Sequence, residues 1–128
     1  MTGPGRPQVS LPAMAQVGAI LAADPRSFLS VHDADGTFTF TTSSIDMLTG
    51  RQPGDLQGRS LYDIVHPDDV ERVRGAHRLS AAPPASVSVR FRLRDVDDAY
   101  VEVESRSWGT PDDDGALASF ICLTTPAS

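Results

Sequence analysis

The run His66-Pro67-Asp68-Asp69 sets an imidazole beside two carboxylates, residue types that bind metals and pass protons. One His and adjacent acids supply too few ligands for a closed zinc site. The same run reads as a helix start, with Pro in the first turn and the acids capping the positive end and complementing its dipole, and we take it as such. Asp112-Asp113-Asp114 before Gly115 lacks the spaced ligands and closing Glu of a calcium loop, so it reads as a solvated hairpin turn. Ser, His and Asp are all present, yet no G-x-S-x-G elbow occurs and nothing sets a nucleophile beside a base. The expectation is a protein that is not an enzyme and carries no metal. The single Cys122 excludes an internal disulfide and a multi-cysteine zinc site; it reads as a small buried core residue rather than a redox switch.

The elements that would position such residues are bounded by composition. With 128 residues, 11 bases (all Arg) and 17 acids, the chain carries a formal net charge of −6. That length fits one compact domain with a terminal extension. The acidic balance argues against a nucleic-acid surface. No apolar run approaches the roughly 18 residues of a membrane span, and the start MTGPGRPQ lacks the regions of a signal peptide. A soluble, cytoplasmic protein is expected.

Residues 1–8 read as a flexible tail, and Met14, Val17, Ile20 and Leu21 fall on one face of a helix starting near Pro12 and ending at Asp24-Pro25. From Phe28 the period becomes two: FLSVH, the turn Asp33–Gly36, then TFTFTT predict a hairpin. Short helical pieces follow, the best of them starting at Asp68-Asp69 and carrying Arg78 near its end. Three more strands close the chain, SVSVRFRL, AYVEVESRSW and ALASFICLTT, separated by acidic turns. Val87, Val89, Phe91 and Leu93 alternate with Arg90, Arg92 and Arg94, while Val101 and Val103 alternate with Glu102 and Glu104. A hairpin turning at Asp95–Asp98 sets the Arg ladder opposite the Glu pair, leaving a local basic stripe where a partner question would start. The last strand is apolar on both faces, so it belongs mid-sheet, covered by the short helices on one side and the N-terminal helix on the other.

This order, with Phe28-Leu29-Ser30-Val31-His32, Asp35-Gly36, Phe38, Phe40, Leu48-Thr49-Gly50, Pro53-Gly54-Asp55-Leu56 and the run from Gly58-Arg59-Ser60 to His66-Pro67-Asp68-Asp69, resembles the PAS domain in its common signalling subtype. The resemblance covers about residues 26–125. It implies an α+β fold: a five-stranded antiparallel sheet ordered 2-1-5-4-3 with short helices enclosing an apolar pocket. The domain division is then 1–24 for tail and N-terminal helix and 25–126 for the PAS domain. Flavin-binding light sensors of the family carry a reactive Cys shortly after the Gly-Arg pair; here Gly58-Arg59-Ser60-Leu61 lacks it. Haem-binding members place a His on the long helix, but His77 aligns several residues too late. Haem and covalent flavin chemistry are therefore disfavoured, and the cofactor stays unknown.

PAS domains sense ligands, bind cofactors, or dimerise and relay signals to effectors. The resemblance therefore implies a sensory module of a bacterial signalling protein, two-component or transcriptional, with its effector outside this chain. Ile45, Leu48, Tyr62, Val89, Phe91 and Val103 are the expected ligand-pocket lining, in a pocket that suits a small apolar or mixed ligand. They serve equally as a filled core, in which case the chain is a dimerisation or interaction module. Val17, Ile20 and Leu21 are the expected homodimer interface, if their helix does not simply cover its own sheet. No nucleic-acid or membrane partner is expected.

Overall fold

Period-two segments separated by acidic turns can only bury one face each, and they do so side by side. In the computed structural model, which describes residues 18–82 and 86–127, five strands form one antiparallel sheet ordered β2-β1-β5-β4-β3. The strands are β1 (Phe28–Asp33), β2 (Phe38–Thr41), β3 (Ser86–Arg94), β4 (Tyr100–Pro111) and β5 (Leu117–Pro126). Between β2 and β3 run α1 (Ile45–Thr49), α2 (Pro53–Leu56), two 3-10 turns (Leu61–Asp63 and Pro67–Asp69) and α3 (Val70–Leu79). Residues 18–23 are helical; Met14, Val17 and the tail lie outside the described residues. The strand order and the central place of β5 are those expected.

The acidic turns have a structural job beyond solubility. In all three hairpins an Asp opens a five-residue loop: its N–H reaches the carbonyl four residues on, Asp33 to Thr37 at 3.1 Å, Asp95 to Ala99 at 2.8 Å and Asp112 to Ala116 at 2.7 Å. The carboxylate of that Asp accepts the return N–H groups, from Thr37, from Asp97 and Ala99, and from Asp114 and Ala116. The fourth residue of each loop is left-handed: Gly36 (φ +88°), Asp98 (φ +65°) and Gly115 (φ +84°). Two loops use Gly there, where no Cβ resists that geometry; the third forces an Asp into it.

A sheet with two edges exposes two rows of unpaired backbone groups, and the helical connection covers part of each. At β2, Phe38 N–H donates to Arg59 O at 2.8 Å, Gly58 N–H to Phe38 O at 3.1 Å, and the Gln57 amide to Thr39 O at 3.1 Å. At β3, His66 N–H donates to Arg92 O and Arg94 N–H to Ile64 O, at 2.9 and 2.8 Å. Further along that edge the Asp69 carboxylate accepts Arg92 N–H at 3.0 Å, and the Arg72 guanidinium donates to Arg90 O. Asp69 thus departs from its expected role. It stands at the start of α3 but caps nothing; the His66 ring accepts the Asp68 N–H instead, at 3.1 Å. Asp69 faces β3, where the Arg92 guanidinium binds it at 2.8 and 2.9 Å.

The Arg ladder is corrected in the same way. Arg90 does pair across β3–β4 with Glu104 and Arg92 with Glu102 in backbone register. The side chains choose differently: Arg90 bonds Glu102 at 3.2 Å, Arg92 turns to Asp69, and Arg94 reaches Asp98 at 3.5 Å. Each Arg of the stripe has a carboxylate partner, with Asp69 shared between Arg92 and Arg72.

Asp98→Gly is expected to raise stability by roughly 0.5–1 kcal/mol, because it relieves the left-handed Asp at the cost of one exposed ion pair. Urea unfolding checks this; a lower midpoint at unchanged slope would contradict it.

Candidate functional site

Strand pairing decides which side chains meet beneath the helices. On the inner face Ser30, Cys122 and Ser107 form one row across β1, β5 and β4. Phe28, Thr124 and Ser105 form the row before it, and His32, Phe120 and Gly109 the row after. All are buried. The expected apolar inward face holds for Val89, Phe91, Leu93 and Val103, but β4 changes from Val to Ser at Ser105 and Ser107. The middle of the sheet is polar.

α3 lies over that polar middle. Its buried face carries Val73 and His77, and Ser80 follows at its end. Ser80 packs so closely on Gly109 that a Cβ there would meet the Ser80 backbone at 2.7 Å. This contact brings His77 down onto β5. Its Nδ1 lies 2.7 Å from the Tyr62 hydroxyl and its Nε2 3.7 Å from the Cys122 sulfur, which in turn lies 3.3 Å from Ser107 Oγ. A neutral imidazole has one N–H. The string therefore has two arrangements: Tyr62 donates to Nδ1 while Nε2–H points at sulfur, or Nδ1–H points at Tyr62 while the thiol donates to Nε2.

The second buried histidine is fixed. His32 Nδ1 lies 3.0 Å from Gly36 O, an acceptor only, so Nδ1 carries the proton and Nε2 accepts from Ser30 at 2.8 Å. Both imidazoles lie against the Phe120 ring, at 4.8 and 4.2 Å between centroids. Burial drives His77 down to about 3, helped by the nearby His32, and drives His32 down to about 4 against the pull of the Gly36 carbonyl. Burial also pushes the Cys122 thiol up to about 11, and the Tyr62 phenol upward. At neutral pH the whole string is uncharged. It can donate and accept hydrogen bonds or move a proton, but it holds no thiolate nucleophile.

Ile45, Tyr62, Val89, Phe91 and Val103, five of the expected pocket residues, share one buried cluster, and the sixth, Leu48, packs against it. Of the expected interface residues, Ile20 is 38% exposed and Leu21 half-buried, while Val17 lies outside the described residues. The polar string itself was not foreseen, although inward Ser105 and Ser107 on β4, and His77 four residues after Val73 on the buried face of α3, are its signal in the sequence. Among the described residues no three His, Cys, Asp or Glu side chains gather as a metal site, and no helix is long and apolar enough to cross a membrane.

Residues 38–124 match the family described as PAS fold. The chain belongs to the PAS family. It is 27% identical over 79 residues to Protein cycle of Drosophila melanogaster, and 29% identical over 84 residues to hypoxia-inducible factor 1-alpha of Gallus gallus. Those alignments cover 61% and 66% of this chain but only 19% and 10% of the relatives, so the PAS domain spans a small part of their length. Among solved structures, the Drosophila Cycle PAS-B with bound ethylene glycol superposes with a TM-score of 0.70 at 22% identity, covering 78% of this chain and 99% of that one. A sensory box histidine kinase/response regulator from Burkholderia thailandensis gives 0.65 at 15% identity, covering 86% and 83%. These structures share the fold.

The two buried histidines set the acid response of this PAS domain. Unfolded, each titrates near 6.5; folded, they resist protonation down to about 4 and about 3. Below pH 6.5 the unfolded chain binds more protons, so stability is complete above that pH and falls as pH drops, by about 1.4 kcal/mol per unit for each histidine. Asp69, held low by Arg92, adds its loss only below about pH 4. His77→Gln should cut the slope of unfolding free energy between pH 6 and pH 5 by about half. An unchanged slope would show that His77 is not a buried neutral group.

Proposed function

We propose that this PAS domain is a sensory relay module. A small molecule of mixed polar and apolar character, held between sheet and helices among Ile45, Leu48, Tyr62, Val89, Phe91 and Val103, biases their packing and passes that bias to an effector domain. The observation that carries this reading is the string Tyr62–His77–Cys122–Ser107 in the middle of the core. Apolar residues of similar shape cost less to bury than hydroxyl, imidazole and thiol groups. A core that keeps them keeps donors and acceptors for which a ligand can compete. The small polyol bound to Cycle PAS-B in its solved structure, and the glycerol bound to a variant of it, are ligands of this mixed type in a relative. The setting proposed is a cytoplasmic bacterial regulatory protein, two-component or transcriptional. Thermal-shift screening of the folded chain with polyols and small amphiphiles should find a compound that raises Tm and moves the His77 imidazole resonances. A broad panel with neither effect counts against the reading.

One observation favours a second role alongside it. Across the outer face of the sheet, Phe40, Val31, Ile121 and Trp108 stand in one cross-strand row, with Phe40 51% exposed. The Arg90–Arg94 half of the β3 edge and the start of β2 are covered, which leaves this face as the larger surface for a partner. We propose a homodimer in which this row takes part together with Ile20, Leu21 and Val17. Phe40→Glu and Ile20→Glu should each give a soluble monomer by sedimentation. An unaltered chain that stays monomeric at high concentration sinks the homodimer.

A further inference from the structure

The surface in front of Tyr62 carries a second feature, independent of any core ligand. A cleft of about 290 Å³ there is lined by Ala34, Asp35, Tyr62, Arg74 and Arg78. Arg74 and Arg78 stand one turn apart on α3 and so face the same way. The Arg74 guanidinium lies over the Tyr62 ring, 4.7 Å from its centroid, and its Nε is buried without a hydrogen-bond partner. Buried donors are almost always satisfied, so an orphan marks a place where an acceptor can arrive. Among the described residues, Arg26, Arg72, Arg90, Arg92 and Arg94 each have a carboxylate within 4 Å, while Arg51, Arg59, Arg74, Arg78 and Arg106 have none; of these, Arg74 and Arg78 line one cleft together. Two guanidinium groups without a carboxylate on one cleft, one of them with an unsatisfied Nε, give that cleft the character of an anion site.

The neighbouring walls say which anion. A second recess of about 310 Å³, lined by Ala34, Arg78, Gly115, Ala116 and Leu117, shares Ala34 and Arg78 with the first. Apart from Arg78 its walls are apolar, so the adjoining recesses make a trough with Arg74 at one end, Arg78 in both recesses and an apolar bed at the other end. Asp35 stands on the rim, its carboxylate accepting Thr37 N–H at 3.1 Å and Thr37 O–H at 2.7 Å. It stays in the cleft as a negative charge and repels any anion, a dianion about twice as strongly as a monoanion.

We propose that this trough binds a small monocarboxylate with an apolar body, its carboxylate on Arg74 and Arg78 and its body against Ala34, Ala116 and Leu117. Occupation also reaches the core. Tyr62 is wedged in place, since a Cβ on Gly36 would come within 2.6 Å of its ring, and its hydroxyl ends on His77. A carboxylate that draws Arg74 off the Tyr62 face changes the support of that ring and hence of the string behind it.

The test is an NMR titration of the folded chain with hexanoate, with inorganic phosphate and sodium chloride as comparisons. Hexanoate should give saturable shifts at Arg74, Arg78, Ala116 and Tyr62 with a Kd on the order of millimolar. Arg74→Ala and Arg78→Ala should each weaken it at least about tenfold, while Arg26→Ala leaves it unchanged; circular dichroism confirms that the variants fold. Phosphate binding as tightly as hexanoate, or hexanoate binding equally well to both Arg variants, overturns the proposal. Either failure leaves the core-ligand reading standing, since that one is read from the polyol panel on the unaltered chain.

Discussion

The Asp69 carboxylate holds the domain's two layers together. It is 4% exposed, and it accepts three hydrogen bonds from Arg92 on β3 and an ion pair from Arg72 on α3. Those partners hold its carboxyl well below the usual range, the Arg92 side chain first among them. A buried carboxylate is tolerable only with its partners; because both guanidinium groups are half exposed, removing one costs less than the roughly 3–5 kcal/mol of a fully buried pair. Much else follows from where this anchor sits. It closes the long edge of β3, fixes the start of α3, and so sets the far end of that helix on Gly109, which is what lowers His77 onto Cys122. A helix of ten residues is marginal alone in water; this one is held at both ends by β-strands.

With the helix pinned, the core can keep groups that a purely stabilising design would discard. His32, His77, Ser30, Ser105, Ser107 and Thr124 are all buried, and each finds a partner inside. Paired polar groups contribute modestly, about 0.5–1.5 kcal/mol per bond, but an unpaired one costs more than that. Such a core is stable in one hydrogen-bonding pattern and sensitive to anything that competes with it. Insensitivity would have been easy to reach with Val and Leu.

The local layers of this fold were legible and the cross-chain ones were not. Alternation in SVSVRFRL and AYVEVESRSW gave the faces of β3 and β4 and even their register, because period two and a short turn leave one pairing that buries the valines. The doubly apolar ALASFICLTT gave β5 its central place. What escaped were choices among partners distant in sequence. Arg92 faces Glu102 across the ladder, yet binds Asp69, since a buried carboxylate with several donors outcompetes an exposed one. Asp69 looked like a helix cap because capping is the local option. Of the six expected pocket residues, five share one buried cluster and Leu48 packs against it, since apolar patterning marks what is buried. The Tyr62–His77–Cys122 string left only a faint signal, because it joins residues from a 3-10 turn, a helix and a strand that only the folded sheet brings together.

The same strand that carries the string also faces outward. On β5, Phe120 and Cys122 point into the core while Ile121 and Leu123 lie on the opposite face, where Ile121 joins the row with Val31 and Trp108 and Leu123 pairs with Leu29 and Arg106. Pleating makes the two sets inseparable: a backbone rotation that adjusts Cys122 to a new hydrogen-bond arrangement displaces its neighbours on the other side. With much of the edges covered by Gln57–Arg59 and by Ile64–Asp69, that outer face is where an internal change becomes available to another protein surface. The bias transmitted is bounded by thermodynamics. It equals the difference in interaction free energy of the bound molecule with the two packings, so a ligand that binds tightly but ignores which hydrogens Tyr62, His77 and Cys122 share would fill the domain and signal nothing.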